Sequence, residues 1–165
     1  MAKTIRLSPS VFVLFLLLCV FRMAGTSSTN TPATIVDQAA ETARVKKVVD
    51  QFFSAAKKRD WDAAAELMST DFEIYTDGAS GFNKQAYVKV LKDDDMELAY
   101  MELRDMEIRV SSDGQMAWAK YRGLFKSTSH NQPSTVETAE TLIFKKEDEQ
   151  WKITRAHVSM KPLNP

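Results

Sequence analysis

The stretch Trp151-Lys152-Ile153-Thr154-Arg155-Ala156-His157-Val158-Ser159 decides the fold. It reads as a final strand, closing a run of strands that follows two or three helices. Walking back from it, Lys145 to Gln150 is a charged turn and Val136 to Phe144 another strand. Ser127 to Ser134 reads as a polar loop containing Pro133, and Met116 to Phe125 as the strand before it. Gly123 inside that strand permits sharp curvature. Asp113-Gly114 is a turn signal. From Leu98 onward the pattern has period two, but Met101 and Leu103 share one parity while Met106, Ile108 and Val110 share the other. A side chain cannot change faces within a regular strand, so a β-bulge is expected near Arg104-Asp105, bending the sheet there.

The first half of the chain supplies what covers this sheet. Val36, Ala39, Ala40, Ala43, Val48, Val49, Phe52, Phe53 and Ala56 fall at helical spacing, opposite Glu41, Arg44, Lys47 and Asp50. Thr34 and Asp37 have the spacing of an N-cap and a first-turn acid, and Lys57-Lys58-Arg59 suits the other end of the helix dipole. Asp60 caps a short second helix, Trp61 to Met68. Phe72 to Thr76 alternates as a first strand, ended by Asp77-Gly78, and Asn83 can cap a third helix, Lys84 to Leu91. The expected fold is α+β: a strongly curved antiparallel sheet forming a cone, with the N-terminal helices packed on its concave face and a pocket between.

The beginning of the chain sets the compartment. Lys3 and Arg6 precede the unbroken apolar run Val11 to Phe21, and Arg22 to Ser28 turns small and polar. That is the layout of a secretory signal peptide, and the run is about half the ~20 residues of a membrane-spanning helix. The expected organisation is a signal over residues 1–27, a linker over 28–34 and one domain over 35–162. The protein is expected to be exported, periplasmic or secreted, with no membrane association after cleavage. Cys19, the only cysteine, leaves with the signal. Lys3, Arg6 and Arg22 leave too, taking the formal balance from zero to three net negative charges. That balance argues against nucleic acid as a partner, since phosphate neutralisation needs clustered bases.

The order helix–helix–strand–helix–four strands resembles the nuclear transport factor 2-like superfamily, of the SnoaL-like kind, over about residues 35 to 161. Phe53-Ser54-Ala55-Ala56 followed by Asp60-Trp61-Asp62-Ala63 is similar to the family's first two helices. Tyr75-Thr76-Asp77-Gly78 with Gly81 is similar to its first strand and turn. Glu140-Thr141, Trp151 and the His157-x-Ser159 ending resemble the association domain of calcium/calmodulin-dependent kinase, which has a second histidine where this chain has Arg155. The resemblance implies isomerase, cyclase or dehydratase chemistry, ligand binding, or oligomerisation; the fold does not choose among them.

The candidate chemistry rests on named side chains. His157 could serve as acid or base near neutral pH, or be hydrogen-bonded within the sheet. Arg155, on the same parity, could bind a ligand carboxylate or pair with Glu140 or Glu137. Tyr75 and Tyr121 are candidate pocket donors, or aromatic core with hydroxyls at the rim. Asp77 reads as a turn-capping residue, Trp118 and Trp151 as packing, and Asp93-Asp94-Asp95 as a solvated helix exit. His130 receives no role. With two histidines, no mature cysteine and no HxH, HExxH or phosphate-loop spacing, neither a metal nor a cofactor is expected. Both faces of the sheet look partly apolar: Leu124, Leu142 and Phe144 share one parity, Phe125, Ala139 and Ile143 the other. This predicts a homodimer through the sheet. The leading expectation is an exported small-ligand-binding domain. The alternatives are a cofactor-free SnoaL-like enzyme using acid–base chemistry and an oligomerisation module.

Overall fold

A computed structural model describes residues 36–77 and 81–163. The signal and linker expected over residues 1–34, with Cys19 and the Thr34 cap, lie outside the described residues. The elements are α1 (Gln38–Lys57), α2 (Trp61–Glu66), β1 (Met68–Thr76), β2 (Phe82–Asn83), α3 (Lys84–Asp93), β3 (Glu97–Val110), β4 (Met116–Ser129), β5 (Gln132–Glu147) and β6 (Gln150–Pro162). They form the expected α+β domain. One six-stranded sheet runs in the order β2-β1-β6-β5-β4-β3. It is antiparallel except for β1 against β6, which run parallel. That pairing is the one departure from the expected antiparallel sheet. It arises because β1 enters from α2 and must lie beside β6, the free edge of the β3–β6 meander.

Each helix starts where a side chain can take the unpaired backbone N–H groups. Asp37, three residues beyond the expected Thr34, accepts from the N–H groups of Ala39 and Ala40 at 3.1 and 3.0 Å. Asp60 caps α2 through Ala63 N, and Asn83 caps α3 through Ala86 N. Val45, Val49 and Phe53 recur every four residues on the buried side of α1. They pack on Ala117, Ala119, Leu142, Phe144 and Ile153, which point inward from β4, β5 and β6. Each such burial is worth roughly 1.5–3 kcal/mol, so this face holds the helix to the sheet.

The expected bulge is present. Pairing of β3 with β4 shifts register between Arg104 and Glu107, and Asp105 sits at φ 54°. The expected Ser127–Ser134 loop is instead a tight hairpin: Thr128 pairs with Pro133 and Ser129 with Gln132. His130 and Asn131 make the two-residue turn at φ 49° and 60°. Such turns match the twist of the flanking strands, and asparagine tolerates the left-handed region. Asp95 receives the His130 N–H at 3.0 Å, and Ser129 Oγ bonds both Asp94 and Asp95. Asp93 and Asp95 stay exposed at the helix exit, as expected, and Asp94 and Asp95 also anchor the hairpin tip.

A buried ion cluster ties α1 to the β5–β6 hairpin. The Glu41 carboxylate accepts from Trp151 Nε1 at 2.7 Å, Lys146 Nζ at 3.0 Å and Arg44 Nη1 at 2.9 Å. Burial alone would raise its pKa, but these hydrogen bonds and cations outweigh burial and hold it below the ordinary value. Lys146 also stands over the Trp151 ring, 5.2 Å from its centroid.

Candidate functional site

The concave face is closed at one end and accessible at the other. Ala119, Leu142, Phe144, Trp151 and Ile153 are sealed beneath α1. Met101, Leu103, Phe125 and Val158 also pack against this core, yet remain half-buried, as does Tyr87 of α3. Glu140 of β5 sits among them, on the inward parity between Thr138 and Leu142.

Glu140 is directly opposite Tyr121 of β4 and Val158 of β6. The Tyr121 hydroxyl donates to Glu140 Oε2 at 2.7 Å, and the Thr138 hydroxyl donates to Oε1 at 2.6 Å. Among the described residues, no lysine, arginine or histidine forms an ion pair with Glu140. Burial pushes its carboxyl above the ordinary range, and the two hydrogen bonds oppose this without overcoming it. Tyr121 is pushed far up, first by burial and then by the Glu140 charge. Tyr87 is pushed up to about 12, again by burial first and the Glu140 charge second. Three titratable groups thus converge from α3, β4 and β5.

Aromatic rings frame these groups. The Phe53 ring of α1 meets Tyr121 edge-on at 5.7 Å and lies 6.1 Å from Phe125; Phe72 of β1 lies 5.7 Å from Tyr87. Gly123 makes the arrangement fit. A Cβ there would stand 2.2 Å from Phe125 Cε2 and 2.6 Å from Thr138 Oγ1. Its missing side chain is the space in which Thr138 reaches Glu140 and the Phe125 ring lies flat.

The structure divides the four residues singled out from sequence. Only Tyr121 faces the interior. Arg155 and His157 share the parity of Trp151 and Ile153, which would turn them inward in a regular strand. Pairing of β5 with β6 shifts between Ile143 and Phe144, however, leaving Thr154 as an extra residue. Ile153 and Thr154 are both buried, and every later side chain changes face. Arg155 consequently pairs with Glu73 at 3.3 Å and donates to the Asp71 carbonyl at 2.6 Å, not to Glu140 or Glu137. His157 is exposed beside Tyr75, its partner on β1, and lines an open depression of about 410 Å³ with Lys120, Arg122, Thr141 and Ser159, whose floor also includes Tyr121 and Glu140. Tyr75 is exposed too, one side of its ring against Gly81. Asp77, at φ 45°, accepts from Met160 N at 2.8 Å and secures the end of β1, in keeping with its capping role. Glu140 itself was legible only as a carboxylate sharing parity with Leu142 and Phe144, an uncommon residue for an inward strand position.

A curved, unclosed sheet covered by N-terminal helices is the architecture of the nuclear transport factor 2-like class, and solved structures bear this out. A candidate calcium/calmodulin-dependent kinase II association domain from Exiguobacterium sibiricum superposes with a TM-score of 0.67 at 14% identity, covering 79% of this chain and 98% of that one. A conserved protein from Planctomyces limnophilus gives 0.65 at 17% identity, covering 76% and 100%. A ketosteroid isomerase-like protein from Erwinia carotovora atroseptica gives 0.60 at 16%, covering 76% and 98%. At these identities the likeness is one of fold. The chain belongs to the SnoaL-like domain family, whose sequence profile matches residues 45–162. No curated protein matches it.

Proposed function

We propose that this protein is a small-ligand-binding domain whose ligand lies on the accessible part of the concave face, against Glu140, Tyr121 and Thr138. The observation that carries this reading is the Glu140 carboxyl, buried beside Tyr121 and Tyr87 with no ion pair to it among the described residues. A group so costly to bury is expected where it recognises something. An apolar wall with a few convergent polar groups is the usual make-up of a ligand site.

The same carboxyl favours one further reading. Burial raises its proton affinity beside two phenols, which suits proton transfer on a carbonyl or aromatic substrate, with Glu140 as base and Tyr121 as donor. The ketosteroid isomerase-like neighbour is compatible with that chemistry. His157, Arg155 and Tyr75 belong to the outer face in both readings. Export follows the signal-like sequence of residues 1–27. We also propose a homodimer through the outer sheet face, where Met116, Trp118 and Tyr75 are exposed. An oligomerisation module, as the kinase association-domain neighbour suggests, would use that face alone.

Native mass spectrometry of the protein from the exported fraction tests these points together. The expected result is a dimer carrying an additional small mass that is lost in Glu140→Gln and kept in His157→Ala. A ligand-free oligomer, unchanged by Glu140→Gln, would transfer the function to the outer face.

A further inference from the structure

We infer that the ligand of the Glu140 site is an organic ammonium ion carrying a ring or other apolar body. This rests on the concave face being the binding site, and adds the chemical class of what binds there.

Hydrogen-bond direction is the first argument. Both protein hydroxyls nearest the carboxyl, Tyr121 and Thr138, donate to it, one to each oxygen. Each carboxylate oxygen has a second lone pair, so the remaining capacity of the site is for accepting. A ligand that meets it must bring a donor. A carbonyl or carboxylate ligand would face an acceptor.

Charge is the second. The side chains facing Glu140 are Tyr121 from β4, Thr138 from β5, Val158 from β6, Phe53 across Tyr121 from α1 and Tyr87 from α3. Tyr121 and Tyr87 are the titratable ones, and neither is cationic. A second anion would therefore meet the carboxylate with no compensating charge. A cation would supply the counter-charge that no ion pair among the described residues provides.

The rings are the third. Tyr121 bonds the carboxyl and Tyr87 lies within reach of its charge, while Phe53 packs on Tyr121 and Phe125, and Phe72 packs on Tyr87. Aromatic faces attract ammonium groups, the more strongly when these are shielded from water, and they repel anions. An aromatic frame with one carboxylate at its base is the complement of an alkylammonium group.

The proton balance makes the inference measurable. Burial raises the proton affinity of the Glu140 carboxyl, and an arriving ammonium lowers it again by stabilising the carboxylate, so any proton the free carboxyl holds is given up. Its proton passes to the buffer as the N–H···O⁻ contact forms, so binding of the cation releases protons. A neutral isostere releases none.

The experiment titrates the full-length protein with benzylamine, benzyl alcohol and benzoate at pH 6 and pH 8, by calorimetry in phosphate and in Tris. Benzylamine is expected to bind at least tenfold more tightly than benzyl alcohol, with benzoate weakest. Its apparent heat should differ between the buffers in the sense of proton release, more so at pH 6 than at pH 8. Glu140→Gln should bring benzylamine to the level of the alcohol, and Thr138→Val, which leaves the carboxyl in place, should preserve the order. If the alcohol or benzoate binds as tightly as the amine and Glu140→Gln alters that binding, the ammonium inference falls and the binding site stands. Should none of the three bind, or should binding ignore Glu140→Gln, the site itself is refuted along with the inference.

Discussion

Replacing Glu41 with alanine should be among the most damaging single changes in this domain. Glu41 is only 8% exposed, and its carboxylate serves three donors at once. Its loss strands Lys146, whose side chain is also 8% exposed and whose remaining carboxylate, Glu149, lies 3.9 Å away on an open turn. Breaking a buried pair from one side costs about 3–5 kcal/mol, because the surviving charge stays desolvated. An orphaned indole N–H adds about 1–3 kcal/mol, though the two penalties overlap in one network and will not sum. Arg44 is largely exposed and adds little. The expected loss is about 3–5 kcal/mol, or roughly 10–20 °C in Tm for a domain of this size. Calorimetry and urea unfolding of the full chain measure it. Combining Glu41→Leu with Lys146→Met should recover much of the loss, since the pair then leaves together. The pH dependence has a definite sign. Because the folded-state pKa of Glu41 is lowered, its contribution is complete above the unfolded value and disappears as pH falls through the folded one. A Tm shift below about 3 °C, or one equally large at pH 3, would refute the reasoning.

Three other changes probe the rest of the interior. Glu140→Gln should stabilise the ligand-free protein at neutral pH, because the raised folded-state pKa makes ionisation unfavourable to folding; the gain should shrink to nothing as pH falls below the unfolded value, read as Tm against pH. Gly123→Ala should cost about 1–3 kcal/mol through overpacking against Phe125 and Thr138, and should weaken any ligand that depends on Glu140; equal affinity in the variant would show that Gly123 does not shape the site. Trp61→Phe should be neutral or slightly stabilising by chemical denaturation, because the buried Trp61 indole N–H has no hydrogen-bond partner among the described residues.

The sequence carried most of the architecture in local signals. The helix caps at Asp60 and Asn83, the switch from helical to alternating periodicity and the parity change around Asp105 each depend on a few adjacent residues. The site was less legible for two physical reasons. The extra residue at Thr154 leaves no trace in the alternation of Trp151, Ile153, Arg155 and His157, and it moves two chosen candidates to the opposite face. Its cause is long-range: Thr154 is held by Asp71, 83 residues away in sequence. Glu140 went unassigned because inwardness is a property of the whole sheet. Tyr121 pointed in the right direction, and reading its cross-strand partner would have reached Glu140. The His130-Asn131 turn was masked by polar residues and Pro133, which resemble a loop even when paired.

The parallel pairing of β1 with β6 gives the chain a late point of closure. The main-chain carbonyl of Asp71 and the side chain of Arg155 meet across 84 residues. Joining such ends costs about 4 kcal/mol of chain entropy before any contact offsets it. A nascent chain that has emerged only as far as β5 holds three helices and a meander with no place to seat β1. Folding should therefore wait for β6 and proceed slowly, as long-range sheet closure does. Under the proposed export, in which the chain would cross a membrane in extended form, that delay would keep it threadable until its last strand is made.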